Sequence, residues 1–182
     1  MAVRRLQQDF RRLIQNKTEG IDASPSSDNI FVWNAIICGP DESLYESGVF
    51  ELQLSFPDDY PNRAPQVRFI TKVFHPNIWW DDGFVCVDIL KDGWLPSYDV
   101  LAILHSVRLL LIDPNPLSPA NLEAALLYRN NRIEYERRVA QVIQETFDDT
   151  DEEVGHIEDA DTLREKTTTT TTTTILRESI SQ

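Results

Sequence analysis

Near the N-terminus apolar residues recur at helical spacing: Val3, Leu6, Phe10, Leu13 and Ile14 form a stripe on the 3.6-residue period. Arg4 and Arg11, and Arg5 and Arg12, repeat at seven residues and flank that stripe. The next stretch, TEGIDASPSSDN, is polar and punctuated by Gly and Pro, which predicts a loop. IFVWNAIIC is an unbroken apolar run suited to a central strand. GPDES reads as a turn. In FELQLSF the period becomes two, with Phe50, Leu52, Leu54 and Phe56 inward and Glu51, Gln53 and Ser55 outward. PDDYPNRAP is a proline-rich connection and QVRFI another short strand. Hairpin-sized gaps between these runs predict an antiparallel meander.

After Trp94 the helical period returns. Val100, Leu101, Ile103, Leu104, Val107, Leu110 and Leu111 leave little polar surface, which predicts a central, buried helix. DPNPLSP breaks it, and Ser118 before Pro119 suits a helix cap followed by proline at the first helical position. A last helix is predicted over about residues 129–147, with Ile133, Val139, Val142 and Ile143 inward. Helix, strands, then helices is an α+β order, with helices packed against one sheet.

The pattern ends at residue 147. DDTDEEVGHIEDADTLREK is acidic, and a run of eight threonines, Thr167 to Thr174, follows. This composition does not support a core and predicts a disordered, acidic, Thr-rich tail over residues 148–182, after a folded domain over residues 1–147.

The chain has 182 residues and a net charge of −13. Residues 148–182 carry ten acidic and three basic side chains, and residues 1–147 carry twenty and fourteen. Direct nucleic-acid binding, which needs a basic face, is not expected. Basic protein tails remain suitable partners. No long apolar window predicts a membrane span, and MAVRRLQQDFRRL lacks the apolar core of a secretory signal. Two distant cysteines make no disulfide framework and fit a reducing compartment, cytoplasm or nucleus.

Chemistry concentrates in KVFHPNIWWDDGFVCVDILKDGWLPSYDV. Cys38 closes an apolar run and reads as a small buried hydrophobe. Cys86, in FVCVDIL, reads from its flanks either as a strand cysteine or as a nucleophile. His75, His105 and His156 show no metal-ligand spacing with the cysteines. His75, held before Pro76, suits a structural hydrogen-bonder better than a mobile base. The six glycines are scattered, and no phosphate-cradling loop is present.

YPNRAPQVRF, FHPN, VCVDIL, GWLPSYDV, DPNPLSPAN and YERRV, in that order and spacing, resemble the ubiquitin-conjugating enzymes across roughly residues 3–147. NIFVWNAII, SPAN and the acidic extension resemble the branch acting in postreplication DNA repair and histone ubiquitylation. The resemblance implies an α+β fold: an N-terminal helix, a four-stranded antiparallel meander, then central and C-terminal helices. It implies a transferase that takes ubiquitin from the activating enzyme as a thioester on Cys86 and passes it to substrate lysines, usually with a RING-type ligase. ATP is consumed by the activating enzyme, so no cofactor is expected. Histones are candidate partners of the acidic tail, and the expected location is cytoplasmic and nuclear. A non-catalytic variant of the fold, or a different ubiquitin-like cargo, are the competing readings; the first usually lacks the cysteine.

The same resemblance assigns roles. Asn77 would donate to the oxyanion during lysine attack or brace the active-site loop, and Asp88 would orient the incoming lysine or help it lose its proton. Ser118 would gate the thiol and, before Pro119, suits a proline-directed kinase. Asn62, Pro96 and Ser97 would contact the ligase, and Arg5 on the first helix would help dock the ligase and the activating enzyme. Asp81, Asp82 and Asp88 would disfavour a thiolate at Cys86. One departure stands out: the family usually places the cysteine eight residues after the asparagine, and here the gap is nine. A bulge at Asp81-Asp82-Gly83 would absorb the extra residue. Finally, only four lysines occur against thirteen arginines, and Lys91, five residues past Cys86, is the expected self-acceptor.

Overall fold

In the computed structural model, which describes residues 1–146, the order is helix, sheet, helices. Helix α1 spans Ala2–Gln15; strands β1 to β4 are Ile21–Pro25, Val32–Cys38, Val49–Ser55 and Gln66–Phe69; helices α2 and α3 are Val100–Ile112 and Leu122–Asn130. Residues 132–146 are helical and are called α4. Residues 1–143 form one compact unit. The tail expected over residues 148–182 lies outside the described residues, as does Phe147.

The four strands pair antiparallel in chain order. Their register aligns Ala23, Ala35, Leu52 and Phe69 in one row across the inner face, and all four are buried. The alternation expected in β3 holds, with Phe50, Leu52 and Leu54 buried and Glu51 exposed. β2 is central, yet its apolar run also alternates: Trp33, Ala35 and Ile37 are buried while Ile36 is 44% exposed. A sheet covered by helices on one face leaves the other to solvent, whatever residues stand there.

β1 corrects the predicted loop. Ile21 and Ala23 face inward and Asp22 and Ser24 outward, so five residues suffice for an edge strand, closed by Pro25 where no further ladder donor is needed. The stripe on α1 also shifts. Val3 and Ile14 are exposed, and the buried face is Ala2, Leu6, Asp9 and Leu13. An acid stands in that face because it is matched there. Arg5 Nε donates to Asp9 Oδ1 at 2.8 Å, and Tyr60 Oη donates to Asp9 Oδ2 at 2.6 Å. Burial pushes the Asp9 carboxyl above its ordinary range, and the bonds from Tyr60 and Arg5 pull it back.

α2 is capped by Asp99, whose side chain accepts from Ala102 N, and buries Val100, Ile103, Leu104, Val107, Leu110 and Leu111. Ser118 does not cap the next helix. Asn121 does, accepting from Ala124 N, because the backbone N–H groups of Ala120 and Asn121 are both held by Pro76 O and the helix begins only beyond them. The predicted last helix is divided at Asn131, which caps α4 by accepting from Glu134 N. Starting there, Tyr135, Val139, Val142 and Ile143 share the buried face, and Ile133 is 82% exposed rather than inward.

Replacing Tyr60 by Phe leaves Asp9 Oδ2 without its hydroxyl donor inside the protein. A loss of about 1.5–3 kcal/mol in urea denaturation is expected, the range for hydrogen bonds to charged groups. An unchanged midpoint would mean that water replaces the hydroxyl.

Candidate active site

Beyond β4 the chain makes a turn and a hairpin that carry the site. Phe74, His75, Pro76, Asn77 and Ile78 are buried in succession. Ile78 then bridges Val85, Trp79 N donates to Phe84 O at 3.0 Å, and Gly83 N donates to Trp79 O at 2.9 Å. The extra residue therefore lies in the hairpin's turn, at the Asp81-Asp82-Gly83 position expected from sequence. Gly83 has φ +73°, and a Cβ there would lie 2.1 Å from Phe69 O. Only glycine allows the hairpin to lie against β4 so closely. Phe69 N donates to Gly83 O and Val85 N to Val67 O, so residues 83–85 run beside β4 as a short added strand.

Below the turn the register is tight. Cys86 N donates to Asn77 O at 2.8 Å. The asparagine and the cysteine thus face one another across the hairpin despite the nine-residue spacing. Cys86 is half-buried, followed by a 3₁₀ turn over Asp88–Leu90 that brings residue 91 back toward the thiol. Lys91 N closes that turn on Asp88 O at 2.9 Å, and Lys91 Nζ lies 2.8 Å from Cys86 Sγ. The charged group within hydrogen-bonding distance of the sulfur is therefore a cation, not one of the aspartates singled out in the sequence. The contact holds the Lys91 ammonium above its ordinary pKa, with the bond to Cys86 as the largest cause.

The Asn77 side chain is fully engaged. Nδ2 donates to Asn115 O at 2.8 Å and Ser118 O at 3.2 Å, and Oδ1 accepts from Asn115 N at 2.8 Å. In this geometry the amide braces the loop between α2 and α3, which was one of its two expected roles. His75 supports it from below. Its Nδ1 accepts from Asn77 N at 3.0 Å, and its Nε2 lies 2.9 Å from Leu110 O. Only the neutral ring protonated on Nε2 satisfies both partners. His75 is thus the structural hydrogen-bonder its place before Pro76 suggested, and it does not touch the thiol.

The other site candidates sit around this hairpin. Asp88 is exposed at the start of the 3₁₀ turn. Ser118 presents an exposed side chain while its carbonyl is held by Asn77. Cys38, the other thiol, ends β2; its N–H donates to Gly20 O, and its carbonyl accepts from Arg108 Nε at 3.0 Å.

Asn62, Pro96 and Ser97 are exposed on two loops that the structure ties together. Trp94 Nε1 donates to Pro61 O at 2.8 Å, and the Trp94 and Tyr60 rings are 6.1 Å apart. Arg5 reaches across from α1, with Nη1 donating to Pro96 O and Nη2 to Tyr98 O, both at 2.6 Å. Its side chain is only 17% exposed, so its cationic head is spent inside the protein. Arg5, expected from sequence to help dock partners, acts in the structure as a strut between α1 and the Pro96–Tyr98 loop. Asp9 and Tyr60, which complete the strut, were missed, because an acid inside a helical stripe reads as an interruption.

A family model described as "Ubiquitin-conjugating enzyme" matches residues 5–143. The chain is also 50% identical over 144 residues to "Ubiquitin-conjugating enzyme E2 1" of Caenorhabditis elegans, an alignment covering 79% of this chain and 74% of that relative.

Burial lowers the pKa of His75 to about 4, against an ordinary value of 6.5. Between those values the unfolded chain binds a proton that the folded one refuses, so stability rises with pH. This group alone should remove roughly 3 kcal/mol of stability as pH falls through that window. The ring resonances of His75 in an NMR titration are the direct check: a midpoint near pH 4 is expected, and one near 6.5 would mean that the ring is solvated.

Proposed function

The chain belongs to the ubiquitin-conjugating enzymes, transferases that work between the ubiquitin-activating enzyme and a ubiquitin ligase, and from that premise we propose that Cys86 is the residue that carries ubiquitin. The observation that carries this reading is the register of the hairpin, in which Cys86 N bonds to Asn77 O and the half-buried thiol stands at the rim of a buried, fully hydrogen-bonded turn. A thiol that must meet another protein's thioester has to be both accessible and fixed, and this one is both.

Loading is an exchange between two thiols. The Cys86 sulfur attacks the thioester carbonyl of ubiquitin on the activating enzyme, and that enzyme's sulfur leaves. Thioester replaces thioester, so the step is nearly isoenergetic and needs accessibility more than strong activation. Discharge is harder, because an amine must lose a proton and an oxyanion must form. Asp88, exposed two residues from the thiol, can orient an incoming ammonium and take its proton. Asn77 holds the 113–118 loop beside the reacting centre, and its Nδ2 hydrogens are already committed to Asn115 and Ser118. Its first contribution is therefore positional; donation to an oxyanion would require exchanging one of those bonds. Ser118, exposed on the clamped loop, is suited to gating the thiol, where a phosphate would add about −1.5 to −2 charges. Asn62, Pro96 and Ser97 form the ligase-facing surface in this reading, carried on loops fixed by Arg5 and Trp94.

For the finer assignment, the segments NIFVWNAII and SPAN and the acidic residues 148–182 support action in postreplication DNA repair and histone ubiquitylation, in nucleus and cytoplasm. Basic histone tails are the partner whose charge complements that extension. Removing residues 148–182 should then lower ubiquitylation of histones at low salt and leave neutral substrates unaffected; equal loss on both would end this assignment.

The central test is thioester formation with activating enzyme, ATP and ubiquitin, read on a non-reducing gel. Cys86 should give a thiol-sensitive adduct, and Cys86→Ser a stable ester. No adduct on folded protein would remove Cys86 from the proposed role. In single-turnover discharge to free lysine, Asn77→Ser should slow transfer by about tenfold or more. An unchanged rate would mean that clamping the loop is dispensable for chemistry.

A further inference from the structure

We propose that Trp79, with Asp81 and Asp82 in the turn beside it, is a platform for the substrate: it takes an arginine that stands two residues from the acceptor lysine in an extended segment. The inference deepens the reading of Cys86 as the ubiquitin carrier and rests on it. Trp79 is the tryptophan that the fold leaves unused. Trp33 is buried and Trp94 half-buried, and their indole N–H groups donate to Ile30 O and Pro61 O, both at 2.8 Å. Trp80 lies edge-on to Phe74 at 5.9 Å and holds the Lys72 ammonium over its ring at 5.1 Å. Trp79 is 54% exposed, and among the described residues nothing accepts its indole N–H and no ring or cation stacks on it. Tryptophan is among the side chains most often found at the energetic centre of a protein contact.

The hairpin places that indole beside the thiol. The bonds from Trp79 N to Phe84 O and from Cys86 N to Asn77 O bracket the Ile78–Val85 bridge, as in a regular antiparallel ladder. Side chains alternate along such a ladder, and Ile78 is buried, so Trp79 stands on the opposite face, to which position 86 also belongs. In that register Trp79 is the diagonal neighbour of Cys86, about 7–8 Å away. A substrate segment lying extended across the thiol repeats this geometry. Its residues two apart point to the same side and are about 6.6–7 Å apart. When a lysine reaches the thioester on Cys86, the residue two positions away faces Trp79, and the adjacent one does not.

Charge selects what that residue is. Asp81, Asp82, Asp88 and Asp92 are exposed, and none forms a salt bridge among the described residues, so the rim of the site is anionic. Its two lysines are already engaged, Lys72 with Trp80 and Lys91 with the Cys86 sulfur. An acidic residue is repelled here, and a neutral one gains only the surface of the ring. A cation gains both the face of the indole and the carboxylates next to it. Arginine suits this better than lysine, because its flat, weakly hydrated guanidinium stacks on an aromatic ring and keeps N–H groups free for a carboxylate. The same turn already contains one such pairing, Lys72 over Trp80. A second copy of the chain, with its net charge of −13, does not complement the rim.

The experiment uses the full chain, charged with ubiquitin and then freed of ATP, and follows single-turnover discharge onto synthetic peptides with one lysine. The peptides carry arginine or alanine two residues from that lysine, or the same arginine moved next to it. At subsaturating peptide, arginine two residues away should raise the discharge rate about fivefold over alanine, and arginine next to the lysine should not. Trp79→Ala should bring the arginine-to-alanine ratio to about one, and Trp79→Phe, which keeps a ring, should retain most of it. Asp81→Asn combined with Asp82→Asn should lower the ratio about twofold. Each ratio compares two peptides on one protein, and thioester loading reports folding, so a general loss of activity does not imitate the result. Equal rates for the arginine and alanine peptides, a preference that survives Trp79→Ala, or one indifferent to the spacing of the arginine would each overturn the proposal while leaving Cys86 as the carrier. A ratio unmoved by the two asparagine substitutions would remove the carboxylates from the platform. Absence of any thioester would overturn the carrier assignment, and this inference with it.

Discussion

The amide of Asn77 joins three segments that are far apart in sequence, and the geometry of the thiol depends on it. Its side chain closes three hydrogen bonds onto the loop between α2 and α3, and its backbone carbonyl holds Cys86 N. Below it, neutral His75 links Asn77 N to Leu110 O on α2. A line of hydrogen bonds therefore runs from the core helix through His75 and Asn77 to the backbone N–H of Cys86. Every group in that line is buried or half-buried, and each would cost about 1–3 kcal/mol if left without a partner. Such a network has one low-energy arrangement, which is why an accessible sulfur can also be a fixed one.

A second polar network fixes two neighbouring loops by the same logic. Asp9 is buried at a cost that Arg5 and Tyr60 offset, and Arg5 extends the network to Pro96 O and Tyr98 O. Trp94 adds a bond to Pro61 O. Two loops that expose Asn62, Pro96 and Ser97 are thereby set against α1 and against one another. The exposed tips of these loops can carry Asn62, Pro96 and Ser97 freely because the residues beneath them are fully engaged. Arg5 shows how a charge that reads from sequence as a surface feature can be engaged in structure: its guanidinium carries the loop.

Much of this was legible in the sequence, and the exceptions share a cause. Period-two alternation located β3, and the apolar run located β2 and α2, because burial of many side chains leaves a repeated mark. β1 left almost none, since an edge strand needs only Ile21 and Ala23 inward. The stripe on α1 was misread because Asp9 is a core residue by virtue of partners on Tyr60 and Arg5, which no local window contains. Ile133 and Ser118 were misassigned for want of the cap positions, Asn131 and Asn121, that set where each helix begins. At the site, the Cys86, Asn77 and His75 positions were readable as motifs, yet the division of labour among them was not. That Asn77 spends its donors on Asn115 and Ser118 is a fact of long-range folding.

The charge around the thiol shows how sequence counting and geometry part company. Asp81, Asp82 and Asp88 stand near Cys86 in sequence, and their number argued for an acidic surround. Attraction and repulsion, however, fall with distance and are screened by water within about a Debye length. Asp81 and Asp82 are exposed in the hairpin's turn, whereas Lys91 is in contact with the sulfur. The contact at 2.8 Å places a cation, rather than one of those aspartates, against the sulfur. The extra residue of the hairpin bears on the same point. By lengthening the turn above the Ile78–Val85 bridge rather than the segment below it, it leaves the pairing of Asn77 with Cys86 intact and changes only what the turn presents, Trp79 and Trp80 among it. The hydrogen bonds that join Asn77 to Cys86 N, Asn115 and Ser118 lie below the bridge, where one residue more would separate the clamp from the thiol it fixes.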